Sequence, residues 1–521
     1  MRFDYPGTGN SSDCDADDVW LLWQESIHDA VDWLRHHGLA DRVVLCGLRA
    51  GATLAIEASA TCGDVAGLLL LEPVLRGRSY LRQLAIEAGG KATDLASAGP
   101  LAVHELRLSA KTVERVSQID LRRFRPAPSC PIGVFIRTPT KLLSECIAAW
   151  RETGAKVDSR AFDGLEAMLR PVLMSHTASI DASAILAWLG RSQSVTSVTL
   201  ALDRLPAEGV LLNEAFMETS VRFGSPQGLF GILCEPVQRS AAEVAVVVTN
   251  SSGNPSYGFG RFGVELARSL AAAGIASLRM DFSGLGDSTT PDDGPAHIFE
   301  ADRREELRSA IDLLTTRGYR RFATHGLCSG AYHVLHGAFA DPRVSTLLLV
   351  NLQHFSWDNG DRVELKGYAL RHPAHFLKKL GSRVVWVNLI RGKFDVAGIV
   401  AAQVGRLANE VRRLTGGPGQ WHIREPAGPA TITDQMQVLS LRARTLFLMS
   451  KGDEGIAMLS REFGPALEPP GAIVQIVADL DHALSTREMR QVAIGRIITF
   501  LENRTLSPQH GLQPLLEVNA A

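Results

Sequence analysis

A five-residue run with the spacing Gly-x-Cys-x-Gly, at residues 326–330, is the part of this sequence best suited to covalent chemistry. It follows an apolar segment at 321–325 that predicts a strand, and it opens a segment that predicts a helix. In such a strand–turn–helix, the two glycines permit a sharp turn that leaves the central side chain exposed above the sheet. We therefore expect the thiol of Cys328 to act as a nucleophile toward a carbonyl carbon. The alternative is that Cys328 is a small buried apolar residue.

The same spacing occurs earlier, at 47–51, with arginine at its centre. Arg49 cannot serve as a nucleophile, so the run at 47–51 would be an inactive copy of the run at 326–330. The segments around the two runs also match, since the pattern Arg-x-Asp-x-x-Gly-x-Gly-x-Ser occurs at 2–11 and again at 279–288. The sequence thus predicts two tandem copies of one domain, of which the second carries a candidate nucleophile and the first is degenerate.

Predicted strands and amphipathic helices alternate in both copies, which is typical of an α/β protein with mainly parallel sheets covered on both faces. Amphipathic helices are expected near 20–37 and 303–316. The predicted organisation begins with a degenerate domain at 1–190 and a connector at 191–217. A catalytic domain follows at 218–505 and contains a lid insertion at about 351–441. The predicted C-terminal tail is 506–521.

The first copy has no counterpart of the segments that precede residue 279 in the second copy. Those segments predict a hairpin at 221–235, a strand at 244–248, a helix at 262–272 and a further strand at 274–282. A sheet without them would carry an unpaired edge, which favours association with another strand. We expect either that the true start of the protein lies upstream of Met1, which we favour, or that self-association or the second domain covers this edge.

The amino-acid composition gives no sign of a nucleic-acid-binding or membrane-spanning protein. The chain has 521 residues and a formal net charge of −2, so nothing indicates binding to nucleic acid or to an acidic membrane surface. It contains no apolar run long enough to predict a transmembrane helix. Its seven cysteines are scattered without close pairs or metal-ligand spacing, which favours a reducing cytoplasm. The glycine runs lack a dinucleotide fingerprint, so we expect no cofactor and no metal.

Taken together, the Asp-x-x-Gly-x-Gly run and the Gly-x-nucleophile-x-Gly turn resemble the α/β-hydrolase superfamily across most of the chain. Within it, the segments at 72–74 and 77–83 resemble hydrolases encoded near exosortase and exopolysaccharide genes. Cysteine in place of the usual serine is similar to dienelactone hydrolases and polyhydroxyalkanoate synthases. The superfamily supports many reactions, so the resemblance implies the fold more firmly than the substrate.

The resemblance implies a nucleophile, an acid and a histidine in that order along the chain. Asp453 follows an apolar strand at 445–449, and His482 follows the next strand, at 472–477. We expect His482 to take the proton of Cys328, and Asp453 to orient the imidazole. Glu454, adjacent to Asp453, and Asp358, after the preceding strand, are alternative acids.

An acyl-transfer site also needs backbone donors for the developing oxyanion. The resemblance implies that one is the amide of Ser329, next to the nucleophile. The other is expected in the loop after the strand at 244–248, from Ser251 or Ser252.

At the corresponding places in the first copy, the nucleophile is replaced by Arg49 and the histidine by Glu166, while no carboxylate follows the strand at 132–136. Our hypothesis is that Arg49 and Glu166 form a salt bridge that fills the former site. The alternative is that both side chains are simply solvated.

The leading functional prediction is a cysteine-dependent acyl hydrolase, an esterase or a thioesterase whose substrate is an acyl ester or thioester, free or bound to a carrier. An acyltransferase that passes the acyl group to an alcohol, an amine or a sugar would use the same acyl-cysteine. A non-catalytic scaffold is the third hypothesis, and the order of the three catalytic residues counts against it.

Overall fold

The computed structural model describes residues 1–503, apart from short gaps and one long one. The gaps are at 41, 64, 88–99, 104–105, 127–129, 163–181, 193–208, 226–227, 239–243, 292–297, 300 and 358–430. The described residues form two separate main sheets. We call the part up to residue 192 the first unit and the part from residue 209 the second unit.

The first unit is built on a four-stranded parallel sheet with the order β1-β2-β5-β6. These strands are β1 (Val43–Leu48), β2 (Val65–Leu71), β5 (Pro131–Ile136) and β6 (Lys156–Ala161). A small antiparallel hairpin, β3 (Leu101–Val103) and β4 (Leu106–Leu108), lies apart from this sheet. The described helices are α1 (Val19–His36), α2 (Ala50–Ser59), α3 (Gly77–Glu87), α4 (Ala110–Ser117), α5 (Lys141–Glu152) and α6 (Ser183–Ser192).

The second unit contains a nine-stranded sheet with the order β15-β14-β13-β12-β10-β11-β9-β8-β7. Its strands are β7 (Val210–Leu212), β8 (Phe216–Phe223), β9 (Leu229–Pro236), β10 (Val244–Val248), β11 (Ala276–Asp281), β12 (Arg321–Leu327), β13 (Val344–Val350), β14 (Arg444–Ser450) and β15 (Ala472–Val477). Strands β10 to β15 pair in parallel, whereas β7, β8 and β9 join antiparallel.

The helices of the second unit cover both faces of this sheet. They are α7 (Phe262–Ala272), α8 (Arg304–Thr316), α9 (Ser329–Ala340), α10 (Ile432–Ser440), α11 (Glu454–Phe463) and α12 (Arg487–Glu502). Helices α7 and α12 contact each other on one face, while α9 contacts α8 and α10 on the other. Strands β12 to β14 are buried on both faces, which explains why their sequences are continuous apolar runs rather than alternating ones.

The predicted fold class, α/β with mainly parallel sheets, is confirmed. The structure places α7 at the residues predicted for it, and α1 and α8 within one residue of the predicted ends. One boundary differs from the prediction: β7 and the start of β8 belong to the second sheet, although residues before 218 were assigned to the connector. β7 pairs antiparallel with β8, and β8 pairs antiparallel with β9, so this edge of the sheet is a series of local hairpins that begins before residue 218.

Other predicted regions are described only in part. Of the predicted lid, the structure describes 351–357 and 431–441, which includes α10. The predicted tail after residue 505 lies outside the described residues. Within the described chain, no strand pairs with the outer edge of β1. No described helix has both the length and the hydropathy needed to cross a bilayer.

Candidate active site

Cys328 lies at a sharp turn between β12 and α9. Its backbone has φ 55° and ψ −115°, a conformation that residues other than glycine rarely adopt. Gly326 makes the turn possible, because a Cβ atom there would lie 2.1 Å from the carbonyl carbon of Gly330. The amide of Cys328 donates to the carbonyl of Val350 on β13 at 2.9 Å, which ties the turn to the sheet. The thiol is therefore presented, half-buried, at the N-terminus of α9, where the helix dipole favours negative charge.

His482 and Asp453 come together although 28 residues separate them in the sequence. The Nδ1 of His482 lies 2.6 Å from Oδ2 of Asp453. The other carboxylate oxygen of Asp453 accepts from the amide of Gly455 at 2.8 Å, so Asp453 also caps the N-terminus of α11. The carboxylate is almost completely buried, with 1% of its side chain exposed, whereas the imidazole is 38% exposed. Asp453 is thus fixed in place, and the exposed side of the imidazole is open to a reactant.

The electrostatics of His482 link it to both predicted partners. Burial by itself lowers the pKa of His482, but hydrogen bonds with Asp453 and with Cys328 outweigh this effect and raise the pKa to about 10. An imidazole in this setting holds a proton well above its ordinary pKa. The arrangement therefore favours a protonated imidazole that lies between Asp453 and Cys328.

Asn351, directly after β13, holds together the loops that carry the acid and the histidine. Its amide nitrogen donates to the carbonyl of His482 at 2.9 Å and to Oγ of Ser450 at 2.9 Å. Its amide oxygen accepts from the backbone of Ser450 at 2.7 Å. Asn351 is fully buried and has a positive φ of 48°. It is therefore a positioning residue that sequence reasoning missed, because only the tertiary structure brings these loops to it.

A second residue missed from the sequence is Gln353. Its Nε2 lies 3.2 Å from Nδ1 of His482, on the same side as Asp453. Both Asn351 and Gln353 follow the strand next to the elbow strand. The available signal was their position: polar residues at the carboxyl end of a buried parallel strand lie at the edge where such sheets hold ligands.

The loop after β10, residues 249–258, passes beside the start of α9, and we call it the oxyanion loop. A Cβ atom on Gly330 would lie 2.4 Å from the carbonyl oxygen of Asn250, so only glycine permits this approach. The amide of Ser252 donates to Oγ of Ser329 at 2.7 Å. Of the two residues predicted as the second oxyanion donor, Ser252 thus already has an acceptor in this structure. Ser251 lies one residue nearer to β10 in the same loop.

Asp281, the last residue of β11, fixes the shape of the oxyanion loop through hydrogen bonds. Its Oδ1 accepts from Nδ2 of Asn250 at 2.9 Å and from the amide of Ser256 at 2.6 Å. Its Oδ2 accepts from the amide of Asp287 at 3.0 Å. Burial raises the pKa of Asp281, and these hydrogen bonds oppose that rise. Asp281 therefore joins two loops and, at 1% exposure, does not face a substrate.

A small cavity opens beside the elbow and the oxyanion loop, lined on one side by Ser252 and Ser329. The rest of its lining is half apolar, from Phe282, Leu285 and Ile298, and half buried and polar, from Asn250, Arg303 and His333. Burial lowers the pKa of His333 to about 4, so this imidazole is neutral and bonded to the carbonyl of Ile298. Arg303 is paired with Glu306 at 2.7 Å.

The alternative acids occupy different positions. Glu454 is the first residue of α11, whereas the carboxylate beside His482 is that of Asp453. Asp358 lies outside the described residues.

In the first unit, Nη2 of Arg49 donates to Oε1 of Gln83 at 2.5 Å. The partner predicted for Arg49, Glu166, lies outside the described residues, so the proposed salt bridge stays a prediction. Among the described residues there is no group of three or more metal-ligating side chains.

No family model and no curated protein matches the chain. Solved structures that resemble it include a hypothetical protein from Pseudomonas aeruginosa, 18% identical over 60% of this chain and 99% of that chain, with a TM-score of 0.37. The esterase domain of a Rhodothermus marinus protein is 18% identical over 55% and 97% of the two chains, with a TM-score of 0.33. Proline iminopeptidase of Mycobacterium smegmatis is 16% identical over 57% and 98%, with a TM-score of 0.33.

Proposed function

We propose that the second unit is an acyl hydrolase, an esterase or thioesterase, that works through an acyl-cysteine intermediate on Cys328. One observation carries the proposal: His482 is hydrogen-bonded to a buried carboxylate, Asp453, and interacts with the thiol of an elbow cysteine. This set of groups matches what nucleophilic acyl transfer requires, namely a nucleophile, a base and a residue that orients the base.

In the first half-reaction, the proton of the Cys328 thiol resides on His482 and the thiolate attacks the acyl carbonyl carbon. A carbon–sulfur bond forms and the carbonyl oxygen becomes an oxyanion. We assign its stabilisation to the amides of Ser329 and Ser251, with Ser252 available only if the Ser329 hydroxyl turns away. When the tetrahedral intermediate collapses, the bond to the leaving alcohol or thiol breaks, and the imidazolium of His482 supplies its proton.

In the second half-reaction, water attacks the carbonyl carbon of the acyl-cysteine, and His482 accepts the proton that this water loses. The carbon–sulfur bond then breaks, and the acyl group leaves as a carboxylic acid. Asp453 keeps Nδ1 of His482 protonated throughout, so that Nε2 faces the reacting groups. The cavity beside Ser329 and Phe282 is our candidate site for the acyl group.

The first unit, in this proposal, is a degenerate copy without catalytic activity. The proposal is supported by arginine at its elbow, Arg49, and by threonine at the position that corresponds to Asp453, Thr140. A cytoplasmic location and the likeness to exosortase-associated hydrolases stay predictions from the sequence.

The test is reaction of the purified full chain with p-nitrophenyl esters and with acyl thioesters, followed by intact-mass measurement. We expect a mass increase equal to one acyl group, mapped to Cys328 by peptide analysis, and release of the free acid. Cys328→Ala should abolish both the adduct and turnover. Cys46, which is exposed on the first unit, provides the matched control, since Cys46→Ala should change neither.

The outcomes separate the three predicted functions. A stable adduct that water clears slowly and an added alcohol or amine clears quickly would show an acyltransferase. Absence of any adduct on Cys328 from every ester and thioester tested, with turnover unaffected by Cys328→Ala, would contradict the proposal and favour a scaffold.

A further inference from the structure

We infer that the first unit braces the oxyanion loop of the second unit through a buried arginine cluster that only its residues 9–13 complete. The inference rests on the proposed function, because it assigns the catalytically inactive first unit a positioning function for that site.

The arginine cluster consists of Arg261, Arg268 and Arg279 of the second unit. All three are buried, with 7%, 6% and 0% of the residue exposed. Among the described residues of the second unit, the buried carboxylate paired with them is Glu218, which lies 2.7 Å from Arg268 and 2.5 Å from Arg279. Three buried cations facing a single carboxylate leave an excess of positive charge, which is costly unless other acceptors are supplied.

Those acceptors come from residues 9–13 of the first unit. Arg261 donates to the carbonyl oxygens of Gly9 at 2.9 Å and Ser11 at 2.7 Å. The carboxylate of Asp13 bridges Arg261 at 3.0 Å and Arg268 at 2.7 Å.

Three further bonds complete the set. The carbonyls of Ser11 and Asn10 accept from Arg268 at 2.9 Å and 3.4 Å, and the side-chain oxygen of Asn10 accepts from Arg279 at 2.7 Å. Every arginine of the cluster thus depends on the first unit for part of its hydrogen bonding.

The cluster is connected directly to the oxyanion loop. Arg261 ends the short 3₁₀ turn between this loop and α7, with a positive φ of 64°, and its amide donates to the carbonyl of Gly258. From the other side, Arg279 precedes Asp281 by two residues, and Asp281 holds Asn250 and Ser256 of the loop. Loss of the acceptors would require the arginines to reach water, which would displace both ends of the loop.

The segment that supplies the acceptors has a fixed shape of its own. The carboxylate of Asp4 accepts from the amide of Asn10 at 2.8 Å. Gly9 has a positive φ of 48°, and a Cβ atom there would lie 2.2 Å from the Asp4 carboxylate. The carbonyls of residues 9–11 are therefore held in position before they meet the arginines. No hydrophobic cluster among the described residues has members from both units, so these polar contacts are central to their association.

The experiment compares Asp13→Ala with Asp15→Ala in the full chain. Both remove one exposed carboxylate from the same segment, and no described side chain bonds to Asp15. Hydrogen–deuterium exchange over residues 250–261 is measured for each, together with acylation of Cys328 by a thioester and alkylation of Cys328 by iodoacetamide. Arg261→Ala and Arg261→Lys extend the series, and the exposed position of Asp13 makes Asp13→Ala the variant that keeps the fold.

We expect Asp13→Ala to speed exchange in 250–261 and to lower the rate of acylation about tenfold at unchanged KM, and Arg261→Ala to lower it about a hundredfold, as for loss of one oxyanion donor. Arg261→Lys should fall between the wild type and Arg261→Ala. Alkylation, which needs no oxyanion donor, should keep its rate, and Asp15→Ala should match the wild type. Unchanged exchange in both Asp13→Ala and Arg261→Ala would overturn the inference. Faster exchange in a protein whose wild type never acylates Cys328 would instead reject the proposed function while the brace stands.

Discussion

The two elbows of this chain have nearly the same backbone and different chemistry. Arg49 has φ 53° and ψ −118°, and Cys328 has φ 55° and ψ −115°. Both amides donate to the neighbouring strand at 2.9 Å, to Leu71 and Val350. The turn is thus set by the strand, the helix and the glycines, and its shape does not require a nucleophile at its centre.

The loops that follow β2 and β5 in the first unit can be compared with those that follow β13 and β14 in the second, and they too have similar backbone contacts but different side chains. Thr140 and Asp453 both cap the helix that follows, by accepting from a backbone amide at 3.1 Å and 2.8 Å. Glu72, the counterpart of Asn351, likewise accepts from the backbone of the neighbouring loop, at Arg137. The two units therefore share the geometry of these loops, while in our proposal only the second unit carries side chains that react.

One difference lies in the backbone environment. A Cβ atom on Gly330 would collide with Asn250 of the oxyanion loop, whereas a Cβ atom on Gly51 would meet nothing within 4 Å. The first elbow faces no described oxyanion loop, because the strand that precedes this loop in the second sheet has no counterpart in the first. Placing a thiol at the first elbow should consequently not create a site.

The largest expected effect comes from moving the nucleophile. Cys328→Ala should lower kcat/KM by about 10⁴-fold or more, since removal of a triad nucleophile has effects of this size. Adding Arg49→Cys to this variant should recover no activity, because in the described part of the first unit no carboxylate follows β5 directly and no loop like the oxyanion loop lies beside the elbow. Thioester turnover and intact mass measure both. Recovery of an acyl adduct on residue 49 would break the comparison between the elbows.

Asp453→Asn should have the next largest effect, about 10²- to 10⁴-fold in kcat/KM, because the imidazole loses its orienting carboxylate. Asparagine is a good helix cap, so the bond to Gly455 and the stability of α11 should be kept. The matched change in the first unit, Thr140→Ala, removes a cap and should cost about 1 kcal/mol of stability without changing activity.

The same variant tests the pH dependence. Hydrogen bonds with Asp453 and Cys328 raise the pKa of His482 to about 10 against the effect of burial. Because the pKa is raised, the stabilisation from these contacts is present at low pH and is lost as pH rises through about 10. In Asp453→Asn the pKa should fall, so the alkaline limb of the acylation rate should move to lower pH. An alkaline limb that stays in place would show that Asp453 does not set the protonation of His482.

The two elbow glycines offer a smaller, matched pair. Gly330→Ala should cost about 1–3 kcal/mol of stability, as overpacking does, and should lower acylation by displacing Asn250. Gly51→Ala should be neutral or stabilising by up to about 1 kcal/mol, because alanine is the better helix residue where space allows. Denaturant titration and kinetics measure the pair. Equal effects at the two positions would mean that the oxyanion loop does not press against α9.

The smallest expected effect is at the first elbow. Arg49→Gly removes a strained positive φ and should raise the free energy of unfolding by up to about 1 kcal/mol, with activity unchanged. Chemical denaturation followed by tryptophan fluorescence measures this change. A clear loss of stability would show that the bond from Arg49 to Gln83 matters more than the strain.

Some of this structure could be predicted from residues alone. The elbows and the ends of α7 follow from local patterns of glycine and apolar residues, whereas the choice of Asp453 and His482 comes from the order of catalytic residues that the resemblance to α/β hydrolases implies. Asn351 could not be predicted as a positioning residue, because its partners are brought to it only by parallel pairing of β13 and β14.

The arginine cluster could not be predicted from the sequence, for a related reason. Arg261, Arg268 and Arg279 lie on three different elements, and most of their acceptors in residues 9–13 are backbone carbonyls, which have no signature in a sequence. The reciprocal contact of Arg2 with Asp287 lies equally far apart in the chain. Interactions between distant segments are therefore where the structure adds most.

The most direct test of the central claim is competitive alkylation of all seven cysteines with a limiting amount of iodoacetamide at neutral pH, read by peptide mass. We predict that Cys328, although half-buried, reacts faster than the exposed Cys46, and that His482→Ala removes this advantage. Preferential labelling of Cys46, or a Cys328 rate that His482→Ala leaves unchanged, would contradict the pairing of thiol and imidazole on which the proposed activity depends.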